Sequence, residues 1–128
     1  MQGEAWAFLD AAGQRWRDGG EYHWMIEADG DAMPIGCMAC RPRATTVELG
    51  FFLQRRAWGR GHATMALSLL VGWLKGRSRI WRIAASVDAE NVRAAAVLER
   101  AGLRREGLLR AATVRPNLGP DPRDTLVY

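Results

Sequence analysis

The sequence predicts one mixed α/β domain over residues 1–128. Two observations predict it. Segments with apolar residues every three or four positions alternate with short β-rich segments, in the order helix, three strands, helix, strand, helix, two strands. The length of 128 residues, with 48% hydrophobic and 25% charged, suits a single compact soluble domain that needs neither disulfide nor metal to fold.

The elements follow in order. Ala5, Leu9, Ala12 and Trp16 share one helical face, and Gly19-Gly20 ends that helix near Arg17. Tyr22 to Ala28 reads as a strand, Asp29-Gly30-Asp31 as a turn, Pro34 to Cys40 as the returning strand and Arg41-Pro42-Arg43 as a loop. Thr46 to Leu53 alternates strictly. Val47, Leu49, Phe51 and Leu53 take one face; Thr46, Glu48, Gly50 and Phe52 take the other. A second helix carries the stripe Ala63, Ala66, Leu67, Leu70 and Leu74 and stops at Gly76. Ile80 to Val87 reads as a buried central strand. Asn91 to Ala101 is a third helix, with Ala94, Val97, Leu98 and Ala101 inward and Gly102 ending it. Leu103 to Leu109 and Asp124 to Tyr128 are the last strands, joined by a Pro-rich mobile loop, Arg115 to Arg123.

Several function classes are excluded. The longest apolar stretch, Met65 to Leu74, is interrupted by Ser68 and Gly72 and is too short to span a bilayer. The N-terminus has no basic segment followed by an apolar core, so the expected location is the cytoplasm, with no membrane partner. The net charge of +4 and pI near 9.8 invite a nucleic-acid reading. However, every basic residue except Lys75 is arginine, a skew typical of GC-rich coding. The arginines also fall in scattered pairs at 41/43, 55/56, 77/79 and 104/105, so they read as solvated surface with no specific nucleic-acid face. Cys37 and Cys40 lie three apart on a strand and point to opposite faces. That disfavours a chelate or a disulfide, and they read as buried small apolar residues with no metal role.

The informative stretch is Arg56-Ala57-Trp58-Gly59-Arg60-Gly61-His62-Ala63. Two glycines let the backbone curl closely around a ligand, and the following helix points its unpaired N–H groups and positive dipole end into the curl. Such a turn suits phosphate. No Gly-Lys-Ser/Thr follows, and the third glycine of a dinucleotide fingerprint is absent, so neither of those motifs applies.

This block resembles the Arg/Gln-x-x-Gly-x-Gly/Ala signature of the GNAT superfamily of acetyl-CoA-dependent N-acetyltransferases. Two further blocks match in register. Asn91-Val92-Arg93-Ala94 with Val97-Leu98-Glu99-Arg100-Ala101-Gly102-Leu103 resembles Asn-x-x-Ser followed by Leu-Glu-Lys-x-Gly-Phe. Glu48-Leu49-Gly50-Phe51-Phe52-Leu53 is similar to the Glu-Ile-Gly-Tyr-Trp-Leu strand of the RimJ/RimL-like branch, which acetylates ribosomal-protein N-termini. The resemblance implies a mixed, mainly antiparallel twisted sheet of about six strands flanked by helices, with a splayed strand pair at the cofactor site. It implies acetyl-CoA as cosubstrate. The backbone amides of Trp58, Gly59, Arg60, Gly61, His62, Ala63 and Thr64 would bind its pyrophosphate, with Arg56 and Arg60 nearby and Arg100 also on the cofactor side. Phe51, Phe52 and Leu53 would offer backbone groups to the pantetheine amides. Asn91 would bond the pantetheine arm, or serve simply as a helix N-cap. Glu48 would accept the proton an amine must lose before attack, with Glu27 the next candidate.

The sequence departs from the pattern in places. The usual tyrosine acid is Leu98 and the motif serine is Ala94. The family's first strand and helix find no match ahead of Ala5. The expected activity is acetyl transfer to a primary amine, on a protein N-terminus or a small molecule. A non-catalytic CoA-binding module and a basic nucleic-acid binder are the alternatives. With the Tyr22–Ala28 edge uncovered, a homodimer is expected.

Overall fold

The computed structural model describes residues 21–28, 30 and 33–128. The opening helix expected over residues 5–17 lies outside them. In β1 (Tyr22–Ile26), Tyr22, Trp24 and Ile26 are buried while His23 and Met25 are exposed, the period of a half-buried strand. β2 (Gly36–Arg43) and β3 (Thr46–Leu53) continue the meander. A short 3-10 turn, Arg55–Ala57, leads into α1 (His62–Lys75). β4 (Arg82–Asp88), α2 (Val92–Arg100), β5 (Gly107–Val114) and β6 (Pro122–Val127) complete the order.

The six strands form one sheet in the order β1-β2-β3-β4-β6-β5. Among the described strands β3 and β4 are the one bonded pair that is parallel, and the helix α1 provides the crossover between them. The apolar stripes of α1 and α2 share one core with the sheet. Leu67, Leu70, Leu74 and Leu98 are fully enclosed, and burying each such side chain stabilises by roughly 1.5–3 kcal/mol. Trp24 meets Trp73 edge-on at 6.5 Å. The C-terminal Tyr128 exchanges two backbone hydrogen bonds with Ala85 (2.8 and 3.1 Å) and donates its hydroxyl to Glu99 Oε2 at 2.9 Å, which ties α2 to the sheet.

Three expectations are corrected. Arg41-Pro42-Arg43 is not a loop: β2 runs through it to pair Arg43 with Thr46, and the turn is Ala44-Thr45, with Ala44 at φ 54°. Pro42 pairs with Val47 of β3, and among the described residues the β1 pairing reaches as far as Tyr22↔Cys40. β4 is central but not buried on both faces; Arg82 and Ser86 are exposed. The last hairpin is shifted. Leu103 packs on the core instead of opening a strand, and β5 spans Gly107–Val114. β5 is exposed at most positions and so lacks the alternation that marks a strand in sequence. Its register slips between Leu109 and Thr113, around Ala111 at φ 46°, whose N–H donates to Asp124 Oδ1 at 2.9 Å.

Cys37 and Cys40 are both free and occupy opposite faces. Cys40 is buried and desolvation pushes its thiol up to about 12, so it is inert packing. Cys37 is only half-buried. Among the described residues no helix is long and apolar enough to cross a membrane.

Candidate functional site

β3 and β4 pair over four rows, from Thr46↔Arg82 to Leu49↔Ala85, and then part. Beyond that point β3 keeps its ladder with β2 as far as Leu53, while Ser86–Asp88 pair with β6 on the other side. The inner edges of Gly50–Phe52 and Ser86–Asp88 therefore face one another without bonding. Between them opens a cavity of about 680 Å³. Gly50, Phe51, Val87, Trp58, Asn91 and Ala94 line it, together with Asn117 and Leu118 of the loop over residues 115–121. Unpaired backbone groups beside a cavity require polar partners, which an extended amide-bearing ligand supplies.

β3 leads from this splay directly into the Gly-bearing turn. Gly59 and Gly61 both sit at φ 78°, in the left-handed region, and open space lies where a Cβ would project. Gly61 is the N-cap of α1 and the first helical bond runs from Met65 N–H to Gly61 O at 3.0 Å. The N–H groups of His62, Ala63 and Thr64 are thus left without helical acceptors at the positive end of the dipole. The geometry fits a phosphate group, which a Cβ on either glycine would obstruct.

The surrounding side chains are placed as follows. Trp58 donates its indole N–H to Leu53 O at 2.9 Å, so that carbonyl is already used and the free strand edge is Gly50–Phe52. The guanidinium groups of Arg55 (5.4 Å) and Arg93 (4.7 Å) both lie over its ring. Arg56 is held by Gln54 Oε1 (2.9 Å) and Pro34 O (3.4 Å), while Arg60 is exposed beside the turn. Asn91, which lines the cavity, caps α2 through Oδ1, which accepts from Ala94 N–H at 3.1 Å, so its Nδ2 is not used by the cap. Phe52 is exposed on the opposite face of the sheet. Arg100 lies at the far end of α2, roughly 13 Å of helix rise from the cap. Glu48 points to the face opposite Val47 and Leu49, with Arg41 Nη1 4.0 Å from its Oε1, and lies one strand period short of the cavity-lining Gly50.

Residues 2–104 match the family model described as an acetyltransferase (GNAT) domain. The chain belongs to the GNAT acetyltransferase family. A curated relative, the probable N-acetyltransferase YjcK of Bacillus subtilis (strain 168), is 33% identical over 94 residues, 70% of this chain. The chain spans about half that relative's length, 52%. Mycobacterium smegmatis RimJ, solved in complex with CoA-disulfide, is 29% identical with a TM-score of 0.73, over 91% of this chain and 56% of that one. The ribosomal-protein-S5-alanine acetyltransferase of Vibrio fischeri shares the fold at 18% identity, TM-score 0.77, over 93% of this chain and 65% of that one. The mixed six-stranded sheet with a splayed central pair is thus a GNAT fold, as the sequence resemblance implied.

Sequence reasoning missed one cluster in this GNAT domain. Asp88 ends β4 with 5% exposure and faces the cavity. It accepts from Arg123 Nε at 2.5 Å and from Glu90 N–H at 2.9 Å, and Arg115 Nε lies 3.5 Å away, buried and without a hydrogen bond. Arg123 also reaches Glu90 at 2.6 Å. Both ends of the loop expected to be mobile are therefore anchored to the cavity wall. The sequence placed the strand end at Val87 and both arginines in a loop, so nothing joined them.

The Arg123 guanidinium holds the Asp88 carboxyl below its ordinary range, although burial pushes the other way. Since the folded pKa is the lower one, this stabilisation is present above about pH 4 and fades as pH falls through the folded value. Asp88→Asn should lower the melting temperature at neutral pH, with the gap from wild type narrowing below about pH 4. Equal melting at neutral pH would show that the cluster holds nothing.

Proposed function

We propose that this GNAT domain transfers the acetyl group of acetyl-CoA to a primary amine. The observation that carries the reading is the continuity of the β3/β4 splay with the turn at Gly59 and Gly61. An extended amide chain can add to the open strand edges while its phosphates meet the free N–H groups of α1. The solved RimJ complex with CoA-disulfide supports it.

Positioning supplies much of the rate in such a transfer. The acceptor nitrogen first loses a proton, with Glu48 as the acceptor acting through water. The amine then forms a C–N bond at the thioester carbonyl, the C–S bond breaks, and sulfur leaves as a thiolate acidic enough to need no donor. The acceptor class, a protein N-terminus or a small amine, belongs to the same proposal. So do a cytoplasmic setting and a homodimer along β1, the edge strand of the described sheet.

A non-catalytic CoA-binding module is the second reading. Leu98, where the family pattern implies a tyrosine, is fully buried in the core, so α2 offers no donor there. Acetyl-CoA binding by calorimetry without thiol release against an amine panel would select that reading.

Three outcomes are expected. Gly61→Val should weaken acetyl-CoA binding by more than about tenfold, or 1.4 kcal/mol, with the fold retained by circular dichroism. Equal binding would reject the cradle. Glu48→Gln should cut turnover by about 10²–10⁴ and remove the acidic limb of the pH profile, with cofactor affinity unchanged; wild-type turnover would move the role elsewhere. Light scattering should give twice the chain mass at micromolar concentration, and a monodisperse monomer would reject the dimer.

A further inference from the structure

At the end of the sheet away from the cavity, three segments that are distant in sequence meet. Arg43 closes β2 in register with Thr46, and Thr46 pairs with Arg82 at the start of β4. The backbone N–H groups of Trp81 and Arg82 both donate to Thr45 O, at 2.9 and 3.2 Å. The Arg82 guanidinium bonds Glu106, which brings Arg104 and Arg105 to the same end. Residues 43–46, 75–82 and 103–106 together carry seven basic side chains and one carboxylate, Glu106.

Some of these charges are engaged. Arg82 holds Glu106, Arg105 lies 4.0 Å from Glu99, and Arg77 covers the Trp73 ring at 4.2 Å. Arg43, Lys75, Arg79 and Arg104 are exposed and have no carboxylate partner among the described residues. Trp81, immediately before β4 in the same set of segments, is 84% exposed. Trp24, Trp58 and Trp73 each have an aromatic or guanidinium neighbour, whereas the Trp81 ring has none among the described residues. An exposed indole on segments that also carry unpaired cations offers a base-stacking surface together with charges for a phosphate backbone.

We propose that this end of the domain binds a single-stranded polynucleotide, at a site separate from the cavity. The bases would stack on Trp81 while Arg43, Lys75, Arg79 and Arg104 neutralise the backbone. An acidic peptide would use the charges and leave the indole idle. An anionic membrane would want more apolar area than one side chain, and Ile80 and Leu103, the other large apolar residues of these segments, are turned partly into the core.

The test is fluorescence anisotropy with a labelled oligouridylate of about twelve nucleotides, titrated over a range of salt. Four phosphate contacts predict a slope of log K against log salt of about −3. Trp81→Ala should weaken binding roughly five- to a hundred-fold. Replacing both Arg79 and Arg104 with Gln should flatten the slope by about 1.4. Arg110→Gln, a charge loss on β5 far from the patch, should change neither, and acetyl-CoA affinity should be the same in every variant. Four results would overturn the proposal: no binding at about 50 mM salt, full affinity in Trp81→Ala, equal weakening by Arg110→Gln and Arg79→Gln, or tighter binding to poly-glutamate or phosphatidylserine vesicles. None of them bears on the acetyl-CoA site.

Discussion

The four-row parallel seam between β3 and β4 governs the rest of the molecule. Each strand stays bonded to its outer neighbour, β3 to β2 and β4 to β6, beyond the point where the seam ends at Leu49 and Ala85. The sheet is therefore two antiparallel halves joined along a short parallel line, and it must open on the side where the line stops. Opening leaves backbone donors and acceptors facing a cavity, a costly arrangement unless something polar fills it. The same strand that opens the cavity delivers the chain to Gly59 and Gly61, so the slot runs continuously into the glycine turn and the free N–H groups of α1.

Around that opening the sequence spends its polar residues on holding edges in place. Trp58 closes the last carbonyl of β3, Asn91 caps α2, and Asp88 gathers Arg123 and Arg115. Each fixes a segment with no long hydrophobic run of its own: the turn, the first turn of α2, and the β5–β6 loop. The apolar core lies on the helix-bearing face and secures α1 and α2, but it does not extend into the loop. The cavity thus has one wall set by packing and another set by charge.

The opposite end of the sheet follows from the same seam. Where β3 and β4 are still paired, the chain ends that enter them are drawn together, and their arginines come with them. Trp81 is fixed by its backbone bond to Thr45, not by burial of its ring. Its exposure is a result of topology, since β4 must begin there for Arg82 to pair with Thr46.

The sequence by itself determined the elements whose side chains repeat with a period. β1, β3, α1 and α2 were legible because alternate or third-and-fourth residues face one core, and the glycines at 59 and 61 were legible because few other residues accept φ near 78°. The tertiary structure alone decided the rest, and the reason is common to every case. β5 is a strand because β6 pairs with it, and Arg41-Pro42-Arg43 is a strand because Glu48, Val47 and Thr46 pair with it. Asp88 meets Arg115 and Arg123 only once β4 and β6 lie side by side, and the segments at residues 43–46, 75–82 and 103–106 meet only because three chain ends converge. Periodicity records what a residue does with its own neighbours along the chain; pairing between distant segments leaves no such record.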